Sequence, residues 1–272
     1  MDILDTTFDN ISHFGPLARS VHDAALFMRA VEGPYDKDIQ SQPHLNPIDA
    51  VADKNLEGVS IAISEDLGFY HVHDDVKHNL QRVTTALEDA GAKLLHVSLP
   101  WRPEVATAWT DLWAVYQAAA FGHLLPDWHE QMDPGLVRLI RHGQDMSAVE
   151  YRQLDTIRTK QWHALSSVLD KADCLLCPTM TQVAPPVTLD DASFESVDEQ
   201  GRLHGLDMTA VFNNIAQCPV MSVPSGTNAD GLPTAVQIVG RRFDDNFVFR
   251  IAQTIENLLP ASNWTTGSLK IQ

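Results

Sequence analysis

Cys174-Leu175-Leu176-Cys177 carries the C-x-x-C spacing of redox and zinc sites, so it is the first stretch of this sequence to weigh for chemistry. A reactive pair needs thiolates stabilised by a nearby cation or helix end. Here leucines fill the gap, and Asp173 to Pro178 reads as an apolar strand that sends alternate side chains to opposite faces. Burial is expected for both thiols, and for Cys218, which has no base beside it in sequence. His71-Val72-His73-Asp74-Asp75 offers two imidazoles and two carboxylates, but it directly precedes a helical pattern. Asp74 or Asp75 is expected to cap that helix while the histidines stay in solvent. With no His-Glu-x-x-His spacing elsewhere, no metal site and no cofactor is expected. Ser222-Val223-Pro224-Ser225-Gly226 lacks the G-x-S-x-G elbow, which leaves Ser225 as a turn residue. Neither G-x-G-x-x-G nor G-x-x-x-x-G-K-[ST] occurs, so a nucleotide would find no phosphate cradle.

The elements that would position such groups alternate between strand and helix. Ser20-Val21-His22-Asp23 starts a helix whose stripe is Val21, Ala24, Met28 and Val31, stopped by Gly33-Pro34. Tyr35 to Leu56 has no period and reads as a surface connection. Val59 to Ile63 reads as a strand, and Val76, Leu80, Val83, Leu87 and Ala90 as a helix closed by Gly91; Lys93 to Leu99 reads as the next strand. Strand, helix and strand in this order make a parallel crossover and place the chain in the α/β class. Pro103 to Leu125 reads as an aromatic helix, and Ser147 with Glu150 as a capping box ahead of the stripe Leu154, Ile157, Gln161, Leu165 and Val168. Gln182 to Leu206, with Asp190, Asp191, Glu195, Asp198 and Glu199, reads as a long surface excursion. Two strands flank an Asp230-Gly231 turn, and Asp245 opens a last helix with Val248, Ile251, Ile255 and Leu258 inward.

Composition limits the partners. The chain has 272 residues, 44% of them hydrophobic, enough for a sizeable core. Its 19 basic and 36 acidic residues give a formal net charge of −17, which repels nucleic acid and anionic membrane. The first ten residues lack the basic and apolar regions of a secretory signal, and three cysteines do not make a disulfide framework. A cytoplasmic location is expected.

Three stretches form a pattern beyond element type. Phe8 to Leu26 contains Gly15-Pro16, Arg19 and Asp23 in a G-P-x-x-R-[ST]-x-x-D-x-A-L arrangement, and Cys177-Pro178-Thr179 ends a strand in Pro-Thr. Asn214, Pro219, Val223-Pro224, Gly226, Asp230-Gly231-Leu232-Pro233, Gln237, Gly240 and Arg241 form N-x-x-x-x-P-x-x-x-V-P-x-G, then D-G-L-P-x-x-x-Q-x-x-G-R. On these residues nearly the whole chain resembles the amidase-signature hydrolases. The resemblance implies an α/β fold, a mixed β-sheet flanked by helices, with residues 1–272 forming a partial domain equivalent to the C-terminal part. Members of that family cleave carboxamides with a serine relayed through a second serine to a lysine, in a Gly/Ser-rich stretch. No such stretch occurs in this sequence, so no catalytic residue is assigned, and the nucleophile is expected upstream of Met1. The chain by itself is expected to be inactive. It would meet an amide substrate only when completed by the missing part, by way of a complementing polypeptide; it could also self-associate, or act as a non-catalytic interaction module. Arg19 and Asp23 are expected to fix the helix start. Members that use the side-chain amide of glutamine hold the substrate's amino group with an aspartate shortly before the closing pattern, a place similar to that of Asp207. Asp207 could equally cap a helix beginning at Met208. Arg138 or Arg141, ahead of Gly143, could also face the cleft.

Overall fold

The computed structural model describes residues 6, 8–43, 48, 55–189 and 191–260. Residues 1–5 and 7 of the N-terminal stretch read for a signal, most of 44–54 in the connection, and Asp190 lie outside the described residues. Five strands form one mixed sheet: β1 (Ser60–Ile63), β2 (Lys93–His96), β3 (Cys174–Pro178), β4 (Val220–Thr227) and β5 (Pro233–Gly240), in the order β2-β1-β3-β5-β4. β1 runs parallel to β2 and to β3, whereas β5 is antiparallel to both β3 and β4. The mixed sheet matches the expected class. Its helices are α1 (Val21–Val31), α2 (Asp74–Asp89), α3 (Glu104–Phe121), α4 (Leu125–Trp128), α5 (Pro134–Asp145), α6 (Ala148–Leu169), α7 (Ala210–Asn213) and α8 (Asp245–Leu258).

The pleat divides the core in two. Ile61 and Ile63 of β1, Cys174 and Leu176 of β3, and Val236 and Ile238 of β5 face one apolar layer with α1, α2 and α8. The intervening Ala62, Leu175, Cys177 and Val239 face the other, with α3, α6 and α7. Strands buried on both faces read as continuous apolar runs, which explains the sequence of β3.

Local chemistry sets the helix ends. The Ser20 hydroxyl accepts the Asp23 N–H at 3.1 Å, while Ser147 and Glu150 complete a reciprocal capping box. Beyond α2, Gly91 takes φ +101°, a conformation that closes a helix readily only without a Cβ. α5 went unread in the sequence, although Asp133 caps it and Pro134 occupies its first position.

The structure corrects several expectations. His73, not Asp74 or Asp75, caps α2, its ring accepting the Asp75 N–H at 3.4 Å. Val31 and Leu258 are exposed rather than inward, because the burying stripes of α1 and α8 end a turn earlier. Leu56 is fully buried, so the connection ends inside the core. The helix expected at Met208 begins at Ala210 and lasts four residues. β2 stops at His96, three residues short of the expected end.

Candidate functional site

An open cavity of about 1400 Å³ lies beside β4 and β5. Its walls come from residues 12–20, from Met180 and Gln182 after β3, from Leu206 and Thr209, and from Ser222, Pro224 and Gln237 of the two strands. Apolar side chains reach its rim without cover: Phe14 is 69% exposed and Leu17 fully so.

The residues of the closing pattern hold the framework around and behind this wall together. Gln237 is buried, and its Nε2 donates to the carbonyls of Pro178 at 2.9 Å and Met208 at 3.0 Å, tying β5 to the ends of β3 and the excursion. Asn214 Nδ2 donates to the Val105 carbonyl at 3.0 Å and joins α7 to α3. Arg241 reaches the Ala172 carbonyl at 3.1 Å and Asp173 at 3.3 Å. A Cβ on Gly226 would stand 2.2 Å from Asn79 Oδ1, so only glycine lets β4 pass α2 this closely. Each of these residues is occupied by the framework.

Among the described residues, no hydroxyl on the cavity wall is bonded to a histidine or a lysine, although Thr209 donates to the Asp207 carboxylate and Ser12 lies beside that of Asp9. The Ser20 hydroxyl serves its helix cap, and Ser222 Oγ lies 2.9 Å from Thr179 Oγ1, a hydroxyl pair without a base. His13 directs Nδ1 at the Ile11 carbonyl, and among the described residues no lysine lines the cavity. The three cysteines are free and buried. Burial pushes the Cys174 and Cys177 thiols well up, and Cys218 up to about 11 against the opposing pull of Arg242, so none is a thiolate at neutral pH. Cys174 and Cys177 point into opposite core layers, as the strand reading required.

The other singled-out residues fall as follows. Asp207 is exposed; its Oδ1 accepts both the N–H and the hydroxyl of Thr209 at 2.6 Å, while its neighbours Leu206 and Thr209 line the cavity. Arg138 and Arg141 are exposed on α5 and do not line it. Asp23 sits in the first turn of α1, where a carboxylate suits the helix end. Arg19 does not hold the helix start, since it is exposed against the cavity and no described residue pairs with it. Sequence reasoning missed the Thr179–Ser222 pair, because register across β3, β5 and β4 is needed to bring those positions together.

The sequence description of the Amidase family matches residues 4–249. The chain belongs to the amidase (amidase-signature) family. It is 27% identical over 263 residues to an acylamidase of Rhodococcus erythropolis, covering 95% of this chain and 54% of that protein. It is 26% identical to one component of the glutamyl-tRNA(Gln) amidotransferase of Granulibacter bethesdensis, covering 91% of this chain and 53% of that polypeptide. In structure it resembles a bacterial aryl acylamidase of the same family at a TM-score of 0.84 and 23% identity, over 96% of this chain and 56% of that one. A 6-aminohexanoate cyclic dimer hydrolase solved with its substrate superposes at a TM-score of 0.73 and 20% identity, over 94% and 57%. The chain thus spans about half the length of the curated relatives it matches. Among the described residues, no helix is long and apolar enough to cross a membrane.

Proposed function

We propose that this amidase-family chain is the framework part of an amide hydrolase whose serine nucleophile and lysine base are carried by sequence outside these 272 residues. One observation supports this reading: the family-pattern side chains Asn214, Gln237 and Arg241 are bonded within the framework, and among the described residues no hydroxyl lining the cavity is bonded to a histidine or a lysine. In the complete enzyme a serine attacks an amide carbonyl, an acyl-enzyme forms, ammonia or an amine leaves, and water releases the acid. The protein works in the cytoplasm on this reading, a location that suits three unpaired thiols. Asp207 binds the substrate's amino group if glutamine is the amide donor, through the carboxylate oxygen that Thr209 leaves free. Co-expressing the chain with a polypeptide carrying the Gly/Ser-rich signature, then assaying ammonia from aliphatic and aromatic amides, tests the proposal. Turnover by the pair and none by the chain supports it; turnover by the chain alone refutes it.

The uncovered side of the sheet favours a second reading, that of a non-catalytic module. Among the described residues no strand pairs with the outer side of β4, and Leu17 and Phe14 stand exposed near it. A bare edge beside apolar surface calls for a covering chain. If the co-expressed polypeptide binds tightly and every amide stays intact, this second reading replaces the first.

A further inference from the structure

Away from the cavity, the excursion between β3 and α7 folds back on itself and docks on the segment before α2. Asp198 N–H donates to the Arg202 carbonyl at 2.9 Å and His204 N–H to the Ser196 carbonyl at 2.8 Å, so residues 196–204 form a small hairpin. The hairpin is stitched to the other segment by Leu203, whose N–H donates to the Phe69 carbonyl at 2.7 Å and whose carbonyl accepts the His71 N–H at 2.9 Å. This docking sets His71 beside two side chains that lie more than a hundred residues away in sequence. His71 Nδ1 is 3.8 Å from Asp198 Oδ2, and His204 Nε2 is 3.9 Å from the same oxygen. All three ligand atoms lie within 4.8 Å of one another.

We propose that His71, Asp198 and His204 bind a divalent transition-metal ion, zinc foremost, which fastens the excursion to the body of the protein. The spacing suits an ion pair where an imidazole is protonated and a shared cation where both are neutral. At 3.8 and 3.9 Å the nitrogens are too far from the carboxylate for hydrogen bonds. They are also too close for a bridging water, which needs about 4.5 Å between partners it bonds at about 2.8 Å. An ion at zinc-ligand distances sets its donors about 3.4 Å apart, so the two nitrogen–carboxylate distances close by about half an ångström on binding, and the two nitrogens, within 4.8 Å of each other, close as the rings turn. His71 Nδ1 is shut off from solvent and has no hydrogen-bond partner, so the approach to Asp198 is dry on that side.

The carboxylate is held in place for this role. Asp198 Oδ1 accepts the N–H groups of Gln200 at 2.9 Å and Arg202 at 2.8 Å, and Oδ2 accepts Arg202 Nε at 2.8 Å. One lone pair of Oδ2 then remains for an ion. The two rings are stacked with centroids 4.5 Å apart and 21° between planes, so binding turns each about its soft terminal torsion to aim both nitrogens at one point. Two imidazoles and one carboxylate make a nitrogen-rich donor set that suits zinc, cobalt, nickel or copper better than calcium or magnesium, and solvent completes the coordination. Because Gln182, Ala184 and Leu206 at the two ends of the excursion line the cavity, the ion also steadies the cavity rim.

The test uses the 272-residue chain freed of metal with a chelator. Titration with cobalt(II), read by visible absorption, should show one ion per chain with tetrahedral bands that zinc abolishes. His71→Ala and His204→Ala should each weaken uptake more than tenfold. Asp198→Asn, which keeps acceptors for the hairpin amides, should also weaken it, whereas His78→Ala on the exposed face of α2 should not. Zinc should slow proteolysis between residues 182 and 206. Equal uptake by the His71→Ala/His204→Ala double variant, or no uptake by the wild type, overturns the proposal. If a variant loses its fold, the wild type still decides: cobalt must broaden the ring NMR signals of His71 and His204 before those of the other histidines, and any other order refutes the site.

Discussion

The two edges of the sheet differ in kind. β2 has four residues, its ends are the exposed Lys93 and His96, and such a short polar strand discourages pairing with another chain. β4 has eight residues and no charge, with Val220 exposed, and it borders the cavity and the uncovered Phe14 and Leu17. The first edge is built to face water. The second has the composition of a strand with a neighbour, and the central strands β1, β3 and β5 are packed on both faces as if the sheet continued. On the proposed reading, the β4 edge is where the rest of an amide hydrolase would join.

This contrast can be broken by substitution. Ile238→Ala in β5 should lower stability by about 2–5 kcal/mol in urea titrations, since Ile238 is fully buried. Val220→Ala on the bare edge should change it by less than about 0.5 kcal/mol in the isolated chain. A comparable loss at both positions would mean that β4 is already covered. Gln237→Leu should cost about 1–3 kcal/mol, because the Pro178 and Met208 carbonyls lose their donor inside the wall. A neutral result there would remove the argument that the family-pattern residues maintain the framework.

The smallest expected effect depends on pH and sits at the cavity margin. Burial raises Asp245 above the ordinary carboxylate range, with Asp244 and Glu32 adding repulsion against a backbone hydrogen bond that lowers it. A carboxyl that holds its proton more tightly when folded contributes stability below its unfolded value of 3.8, and that contribution is lost as pH rises through the folded value. Asp245→Asn should therefore raise the melting temperature at pH 7 and leave it unchanged near pH 3. A uniform shift at both pH values would contradict the assignment.

Much of the framework was legible where local signals agree. The β1–α2–β2 crossover follows from the period of Val76 to Leu87 and the stop at Gly91, and the β4–β5 pair from its Asp-Gly turn. The start of α6 was readable from Ser147 and Glu150 alone. α5 was missed although Asp133-Pro134 is a start signal, because Gly135 and Gly143 break its pattern. Gly143 is there for tertiary reasons: a Cβ would meet the Ala114 carbonyl oxygen at 2.1 Å. Whether Val31 and Leu258 face in or out depends on which neighbours reach the last turn, information that periodicity does not hold. For the same reason His71 could be weighed only against His73 and its neighbours, since Asp198 and His204 arrive through the docking of a distant hairpin.

On the proposed reading, the described residues supply walls and the reactive hydroxyl lies in sequence outside this chain. Incubating the purified chain with a serine-directed fluorophosphonate and weighing it by intact-mass spectrometry tests this most directly. The account predicts an unmodified mass, with labelling appearing only on a polypeptide that carries the Gly/Ser-rich stretch; stoichiometric labelling of this chain would contradict it.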